Sequence, residues 1–76
     1  MVVAYVMVKA YTGEADRLKR EIEDVPGVES AHIVAGDVDV IAKVEVDSPA
    51  DVRKVAATEV QNIDGVEGTQ TYIAME

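Results

Sequence analysis

The sequence predicts a small α+β domain in which two β-α-β units follow each other along one chain. Three observations support this fold class. Apolar segments with the period of strands alternate with segments that carry the three- and four-residue spacing of amphipathic helices. A short motif, apolar-x-Gly-Val-Glu, occurs at residues 25–29 and again at 63–67. Its glycines, Gly27 and Gly65, are separated by half the length of the chain.

The first unit is predicted as strand, helix, strand. Residues 2–8 are all apolar and rich in β-branched side chains, so they predict a strand that is buried on both faces. Thr12 is the predicted N-cap of the helix, which Pro26 and Gly27 end. Residues 28–34 predict the second strand. The apolar stripe of the helix consists of Ala15, Leu18, Ile22 and Val25.

The second unit repeats this order. Residues 38–46 alternate between inward apolar and mostly polar positions, which predicts the third strand and a hairpin with the strand before it. Ser48 as N-cap and Pro49 in the first turn predict a helix start. Residues 64–65 end that helix, and residues 66–75 predict the last strand. The second apolar stripe consists of Val52, Val55, Ala56, Val60 and Ile63.

The resulting order, β-α-β-β-α-β, is the split β-α-β or ferredoxin-like arrangement. Right-handed crossovers place both helices on one face of a four-stranded antiparallel sheet, with the first and third strands at its centre. The other sheet face is uncovered, yet it receives apolar residues from the first strand and Tyr72 from the last. Such a face marks an interface, and small chains are often stabilised by self-association. We therefore expect a homo-oligomer that dimerises through the sheet, as in dimeric α/β barrels.

The composition excludes several classes of function. Fifteen acidic against seven basic residues give a net charge of −8, which repels phosphate backbones and argues against direct nucleic-acid binding. The chain has no cysteine and one histidine, so no disulfide, metal site or cofactor is predicted. No apolar run reaches a membrane span and no signal peptide is visible, so we expect a cytoplasmic protein without a membrane partner. The excess of acidic residues either keeps the protein soluble or is an adaptation to a high-salt cytoplasm.

The single histidine, His32, is the first candidate for a catalytic base. It lies on a predicted edge strand, with Ser30 on the same strand face. General-base catalysis needs a partner within hydrogen-bond reach, and no nucleophile–base signature accompanies this residue. We interpret His32 as a polar side chain on a sheet face and predict no catalytic residue.

The predicted hairpin tip, residues 35–39, carries a glycine and two carboxylates. Gly36 can take a backbone conformation closed to other residues, and Asp37 and Asp39 are acidic. Gly and Asp are common in turns, so one interpretation is a turn alone. Alternatively, exposed backbone N–H groups beside a carboxylate can hold both ends of a zwitterion such as an amino acid. The acids are too closely spaced for a calcium loop.

Thr69 and Thr71 share one face of the last predicted strand. Threonine is a good strand former, which explains both residues without a function. Their hydroxyls can also offer neutral hydrogen bonds to a small ligand at the sheet edge.

Four segments resemble the effector-binding domain of Lrp/AsnC-type transcriptional regulators, also called the RAM (regulation of amino-acid metabolism) domain. They are AYVMVK at 4–9, PGV at 26–28, AHIVAGDVDV at 31–40 and TQTYIAM at 69–75. The resemblance covers nearly the whole chain. Its most specific parts are the Gly-Asp hairpin and the Thr-x-Thr close.

The resemblance implies the same βαββαβ fold, dimers formed through the sheets, and assembly of dimers into octamers or similar rings. It also implies that a small effector, typically an amino acid, binds between dimers near the hairpin. Gly36, Asp37 and Asp39 match the hairpin positions. Thr69 and Thr71 match polar positions of the last strand.

The sequence departs from the family pattern in two respects. Full-length regulators carry an N-terminal helix-turn-helix domain, whereas residues 1–76 are predicted as one effector-binding and oligomerisation domain. We therefore expect a stand-alone prokaryotic version that modulates transcription without direct DNA contact, with full-length Lrp/AsnC regulators as candidate partners. Position 38, often aromatic in the family, is Val38 here, which implies a reshaped pocket.

Two alternatives to an amino-acid sensor stay open. One is an assembly scaffold without a ligand. The other is a small cofactor-free enzyme of the dimeric α/β barrel type, in which His32, Tyr5 or Tyr72 would act. Fold alone does not decide among them.

Overall fold

The computed structural model describes residues 1–75 and has the predicted elements in the predicted order. Four strands form one antiparallel sheet: β1 (Val2–Ala10), β2 (Val28–Ile33), β3 (Val40–Val46) and β4 (Val66–Ile73). Two helices connect them: α1 (Ala15–Glu23) and α2 (Pro49–Arg53), which continues as a π-helical segment (Lys54–Val60). The predicted α+β fold class is confirmed.

The strand order across the sheet is β2-β3-β1-β4. The two most apolar strands, β1 and β3, are therefore central, as predicted. Tyr5 of β1 lies opposite Lys43 of β3 on one side and opposite Tyr72 of β4 on the other. This register places the odd-numbered residues of β1 on one sheet face and the even-numbered residues on the other.

The helices cover the face that carries the even-numbered residues of β1, and the core lies between them. Both predicted helix stripes contribute to it, although Ile63 is only partly buried beyond the π-helical segment. The buried core residues are Ala4, Val6, Val8, Leu18, Ile22, Val25, Ala31, Val40, Ala42, Val44, Val52, Val55, Ala56 and Val60. No helix within residues 1–75 is long and apolar enough to cross a membrane.

One of the two predicted helix caps is confirmed. The Ser48 hydroxyl accepts a hydrogen bond from the Asp51 backbone N–H at 3.3 Å. The prediction for Thr12 is wrong, because α1 begins later and Glu14 is its N-cap residue, without a side-chain cap. The Glu14 N–H already bonds to the Tyr11 carbonyl at 3.1 Å in the preceding turn.

The internal repeat is visible in the turns that end the two helices. Gly27 and Gly65 both have a positive φ, 98° and 102°. The Gly27 carbonyl accepts a hydrogen bond from the Glu45 amide of β3, and the Gly65 carbonyl accepts one from the Tyr11 amide just after β1. In the second crossover, the second half of the helix takes the wider π-helical turn.

The other sheet face has no helix over it. Val3, Tyr5 and Met7 of β1 and Tyr72 of β4 belong to this open face. The ring of Tyr5, on a central strand, is 38% exposed, and that of Tyr72, on the edge strand beside it, is 55% exposed. The predicted uncovered apolar surface is thus present in the protomer.

Candidate functional site

The loop between β2 and β3, residues 34–39, is anchored at its base by backbone hydrogen bonds. The Val34 N–H donates to the Asp39 carbonyl at 2.9 Å, which closes the hairpin. The Asp39 N–H donates to the Val8 carbonyl at 2.9 Å, which continues the ladder between β3 and β1. The tip of the hairpin is therefore held beside the end of β1.

The Asp39 side chain adds a third anchor. Its Oδ2 accepts a hydrogen bond from the Ala10 N–H at 2.8 Å. Ala10 lies at a β-bulge, where the register between β1 and β4 shifts after Lys9. The carboxylate thus satisfies a partly buried amide of an irregular strand end, so Asp39 has a structural role in the protomer.

Gly36 is exposed at the tip of the hairpin, but the prediction that it takes a conformation closed to other residues is wrong. The glycines with a positive φ are Gly13, Gly27 and Gly65, and Gly36 is not among them. A Cβ on Gly36 would meet no other atom within 4 Å. The turn does not require glycine here, and the effect of Gly36 is to leave its peptide groups uncovered.

A cleft of about 300 Å³ lies between the hairpin tip and the neighbouring ends of β1 and β4. We call it the hairpin cleft. It is lined by Met7, Lys9, Asp37, Val38, Gly68, Thr69 and Gln70. Neither the Lys9 ammonium nor the exposed Asp37 carboxylate belongs to an ion pair within residues 1–75. The cleft therefore has an uncompensated charge of each sign and apolar wall residues.

The two threonines predicted as site residues lie on one strand face, as expected, but border different clefts. Thr69 borders the hairpin cleft, and its hydroxyl donates to Gln61 Oε1 at 2.6 Å. Thr71 borders a second cleft, together with Arg53 and Ile73. The structure therefore brings Asp37 and Thr69 to one cleft, whereas Thr71 lies apart from them.

His32 is exposed on the open face of β2, opposite Ile41, and Ser30 lies on the same face. The enzyme alternative would use His32, Tyr5 or Tyr72. Within residues 1–75, the His32 side chain forms no hydrogen bond with either tyrosine and no ion pair. No group of three or more metal-ligating side chains occurs in the described part of the chain. Among residues 1–75, His32, Tyr5 and Tyr72 thus form no acid–base pair with one another.

The model of the family described as "Lrp/AsnC ligand binding domain" matches residues 3–76. The chain belongs to this family. The resemblance of its four sequence segments to Lrp/AsnC regulators is therefore confirmed, and the match is to a domain of regulatory proteins.

This Lrp/AsnC ligand-binding domain is similar in sequence or structure to the following three proteins. It is 28% identical to the leucine-responsive regulatory protein of Haemophilus influenzae over 76 residues, all of this chain and 46% of that protein. The chain thus spans about half the length of this relative. TTHA0845 from Thermus thermophilus has a TM-score of 0.95 at 25% identity, with 100% and 95% of the two chains covered. The regulator NMB0573 from Neisseria meningitidis, solved as an L-Met complex, has a TM-score of 0.83 at 14% identity, with 99% of this chain and 50% of that chain covered.

Sequence reasoning missed part of the hairpin cleft of this Lrp/AsnC domain, above all Lys9. Strand geometry places Met7 and Lys9 on the same face of β1. Placing them beside Gln70 and Gly68 requires the β1–β4 register, in which Met7 lies opposite Gln70 and Lys9 opposite Gly68. Strand alternation does not specify that register.

Proposed function

We propose that this domain binds a free amino acid in the hairpin cleft and that its occupancy modulates transcriptional regulation. The observation that carries the proposal is the pair of unpaired opposite charges, Lys9 and Asp37, on one cleft. The Asp37 carboxylate would hold the α-ammonium group. The Lys9 ammonium, together with peptide N–H groups near Gly36, would hold the α-carboxylate.

The remaining walls suit a small apolar side chain. Met7 and Val38 supply apolar contact, and about 300 Å³ is at the lower end of the volumes found for ligand pockets. The L-Met complex of the Neisseria meningitidis regulator supports an amino acid as the ligand class. Val38 leaves more space than an aromatic residue would.

The five site residues predicted from the sequence take different parts in this proposal. Asp37 contacts the ligand, Gly36 lies next to it at the exposed hairpin tip outside the cleft lining, and Asp39 positions the hairpin through its bond to Ala10. Thr69 borders the cleft, and its hydroxyl donates a hydrogen bond to Gln61 Oε1. Thr71 stays a prediction from the family resemblance, since it borders the other cleft.

We further propose that residues 1–76 are the effector-binding and oligomerisation domain and that a second copy covers the open sheet face. The exposed rings of Tyr5 and Tyr72 support this interface. Assembly of dimers into an octamer or similar ring, and association with full-length Lrp/AsnC regulators, stay proposals at the same level.

Isothermal titration calorimetry with the twenty amino acids tests the ligand. We expect saturable binding of one or a few apolar amino acids, and loss of that binding in Asp37→Ala and Lys9→Met. Glu67→Gln, an exposed acidic position on β4 outside the cleft, is the control and should bind as the wild type does. Wild-type binding that survives both cleft variants would contradict the assignment, and no binding of any amino acid would favour the scaffold alternative.

Size-exclusion chromatography with light scattering tests the assembly, at low and high salt and with and without the ligand found by calorimetry. A discrete oligomer whose size or stability changes with that amino acid is the expected result. A monomer under all conditions would contradict the proposed interface.

A further inference from the structure

The turns at Gly27 and Gly65, which end the two helices, both have a positive glycine φ, but different side chains pack against them. At Gly65, the Arg17 guanidinium of α1 packs over the turn and its Nη2 donates to the Asp64 carbonyl at 2.7 Å. A Cβ on Gly65 would lie 2.5 Å from that nitrogen. Carboxylates of Glu14 and Glu21 pair with the same guanidinium. The chain therefore supplies its own arginine to this turn.

The residue equivalent to Arg17 at the other turn is Val55. It follows Arg17 by the same interval that separates Gly65 from Gly27, and its Cγ2 would be 3.1 Å from a Cβ on Gly27. Glu59 follows Glu21 by that interval too. One of the two acidic residues is thus repeated in the second helix, whereas Glu14 and the arginine are replaced by the apolar Val52 and Val55.

This replacement leaves an open cleft of about 230 Å³, which we call the Gly27 cleft. It is lined by Pro26, Gly27, Val46, Asp51, Lys54, Val55 and Glu59. Within residues 1–75 Glu59 has no ion-pair partner, in contrast to Glu21. The Gly27 cleft has no residue in common with the hairpin cleft.

We propose that the Gly27 cleft binds an arginine side chain of a partner polypeptide, in the place that Arg17 fills at the equivalent turn. The aliphatic stem would lie on Val46 and Val55, and the guanidinium would face Glu59 and the carbonyl of Pro26, the counterpart of Asp64. A guanidinium matches carboxylate and carbonyl acceptors in its plane.

Size and charge favour a protein side chain over a whole small molecule. The cleft is smaller than the roughly 300–1,000 Å³ of typical small-molecule pockets. The chain carries a net charge of −8, which attracts basic partners. The positive charge of Lys54 at the rim repels a bound cation. Its long stem is flexible, however, and the carboxylates of Asp51 and Glu59 give the cleft a net negative charge.

The test is a titration of the ¹⁵N-labelled chain with N-acetyl-L-arginine amide, followed by NMR. The blocked compound has neither a free ammonium nor a free carboxylate, so it does not report on amino-acid binding in the hairpin cleft. We expect saturable shifts at the amides of Gly27, Val46 and Val55, and weaker or no shifts with N-acetyl-L-lysine amide. Glu59→Gln should weaken binding about two- to fivefold, the effect of one exposed ion pair, and Glu67→Gln should not.

Two further variants sharpen the test. Lys54→Met removes the opposing charge and should tighten binding, and Val55→Arg should abolish it by restoring the arrangement seen at Arg17. Because Val55 is buried, Glu59→Lys serves as the loss-of-binding variant if Val55→Arg does not fold. Equal binding of the lysine compound, absence of saturable shifts, or wild-type affinity in Glu59→Lys would overturn the proposal. A more than tenfold preference for free L-arginine over the blocked form would overturn the assignment to a protein side chain.

Discussion

The Asp39 carboxylate accepts a hydrogen bond from the Ala10 backbone N–H at 2.8 Å, across 29 residues of sequence. It closes the β-bulge of β1 and fixes the base of the hairpin whose tip carries Asp37. Two aspartates that look alike in the sequence therefore differ in role. One holds the loop, and the other is exposed to the cleft.

Replacement of Asp39 should destabilise the fold. Asp39→Ala leaves the partly buried Ala10 amide without its acceptor, so the free energy of unfolding should fall by about 1–3 kcal/mol. Asp39→Asn keeps a side-chain oxygen and should lose less. Urea denaturation followed by circular dichroism measures both. Asp37→Ala is the matched control and should stay within about 0.5 kcal/mol of the wild type; an equal loss in both alanine variants would contradict the structural role of Asp39.

Gly65→Ala should cost more stability than Gly13→Ala. Both glycines have a positive φ, 102° and 84°, so both variants carry backbone strain of about 1–3 kcal/mol. A Cβ at Gly13 meets open space, whereas at Gly65 it displaces Arg17 from the Asp64 carbonyl. The additional loss should be about 0.5–1.5 kcal/mol.

A double-mutant cycle isolates that additional loss. In an Arg17→Ala background the two glycine variants should become similarly destabilised, because the displaced side chain is gone. If the difference persists without Arg17, steric exclusion by its guanidinium is not the cause.

The two predicted helix caps should differ in their response to alanine. Ser48→Ala removes the acceptor of the Asp51 amide and should lower the free energy of unfolding by about 1 kcal/mol. Thr12→Ala removes no cap and should change it by less than about 0.5 kcal/mol. Thermal and urea unfolding curves of the two variants, recorded at one protein concentration, check this; a larger effect at Thr12 would contradict the observed start of α1.

A charge on the open face should break the proposed dimer. Tyr5→Lys and Tyr72→Lys each place an ammonium in the apolar part of that face, where burial without a partner is costly. We expect a smaller particle mass by light scattering at equal concentration. Asp16→Asn on the exposed side of α1 makes the same change in net charge and should keep the wild-type mass. An unchanged mass in a variant that combines Tyr5→Lys and Tyr72→Lys would exclude this face as the interface.

The fold was predictable because its signals are local and consistent with one another. The alternation in β3 and the stripes of the two helices identify inward-facing residues without knowledge of their partners. The start of α1 was missed because the Tyr11 carbonyl, rather than the Thr12 hydroxyl, satisfies the Glu14 amide. The π-helical turn was missed because the spacing of apolar residues does not distinguish it from an α-helix.

The candidate site was less predictable, because its parts are distant in sequence. Asp37 can be proposed from the chemistry of a turn. Lys9 cannot, since bringing it to the same cleft as Asp37 depends on how β3 is aligned with β1, with Val8 opposite Val40. The different roles of Asp39 and Asp37 likewise depend on the bulge at Ala10, which no sequence pattern reveals.

The hairpin cleft draws on three segments that span most of the chain, around Lys9, Asp37 and Gln70. None of these segments alone makes a site, so a bound amino acid would be lost whenever any one of them unfolds. Binding and global folding would then be one linked equilibrium, and ligand at a hundred times its Kd would add about 2.7 kcal/mol to stability. For a chain of 76 residues that is a large share of the usual free energy of unfolding, so the effector would stabilise the fold as well as act as a signal.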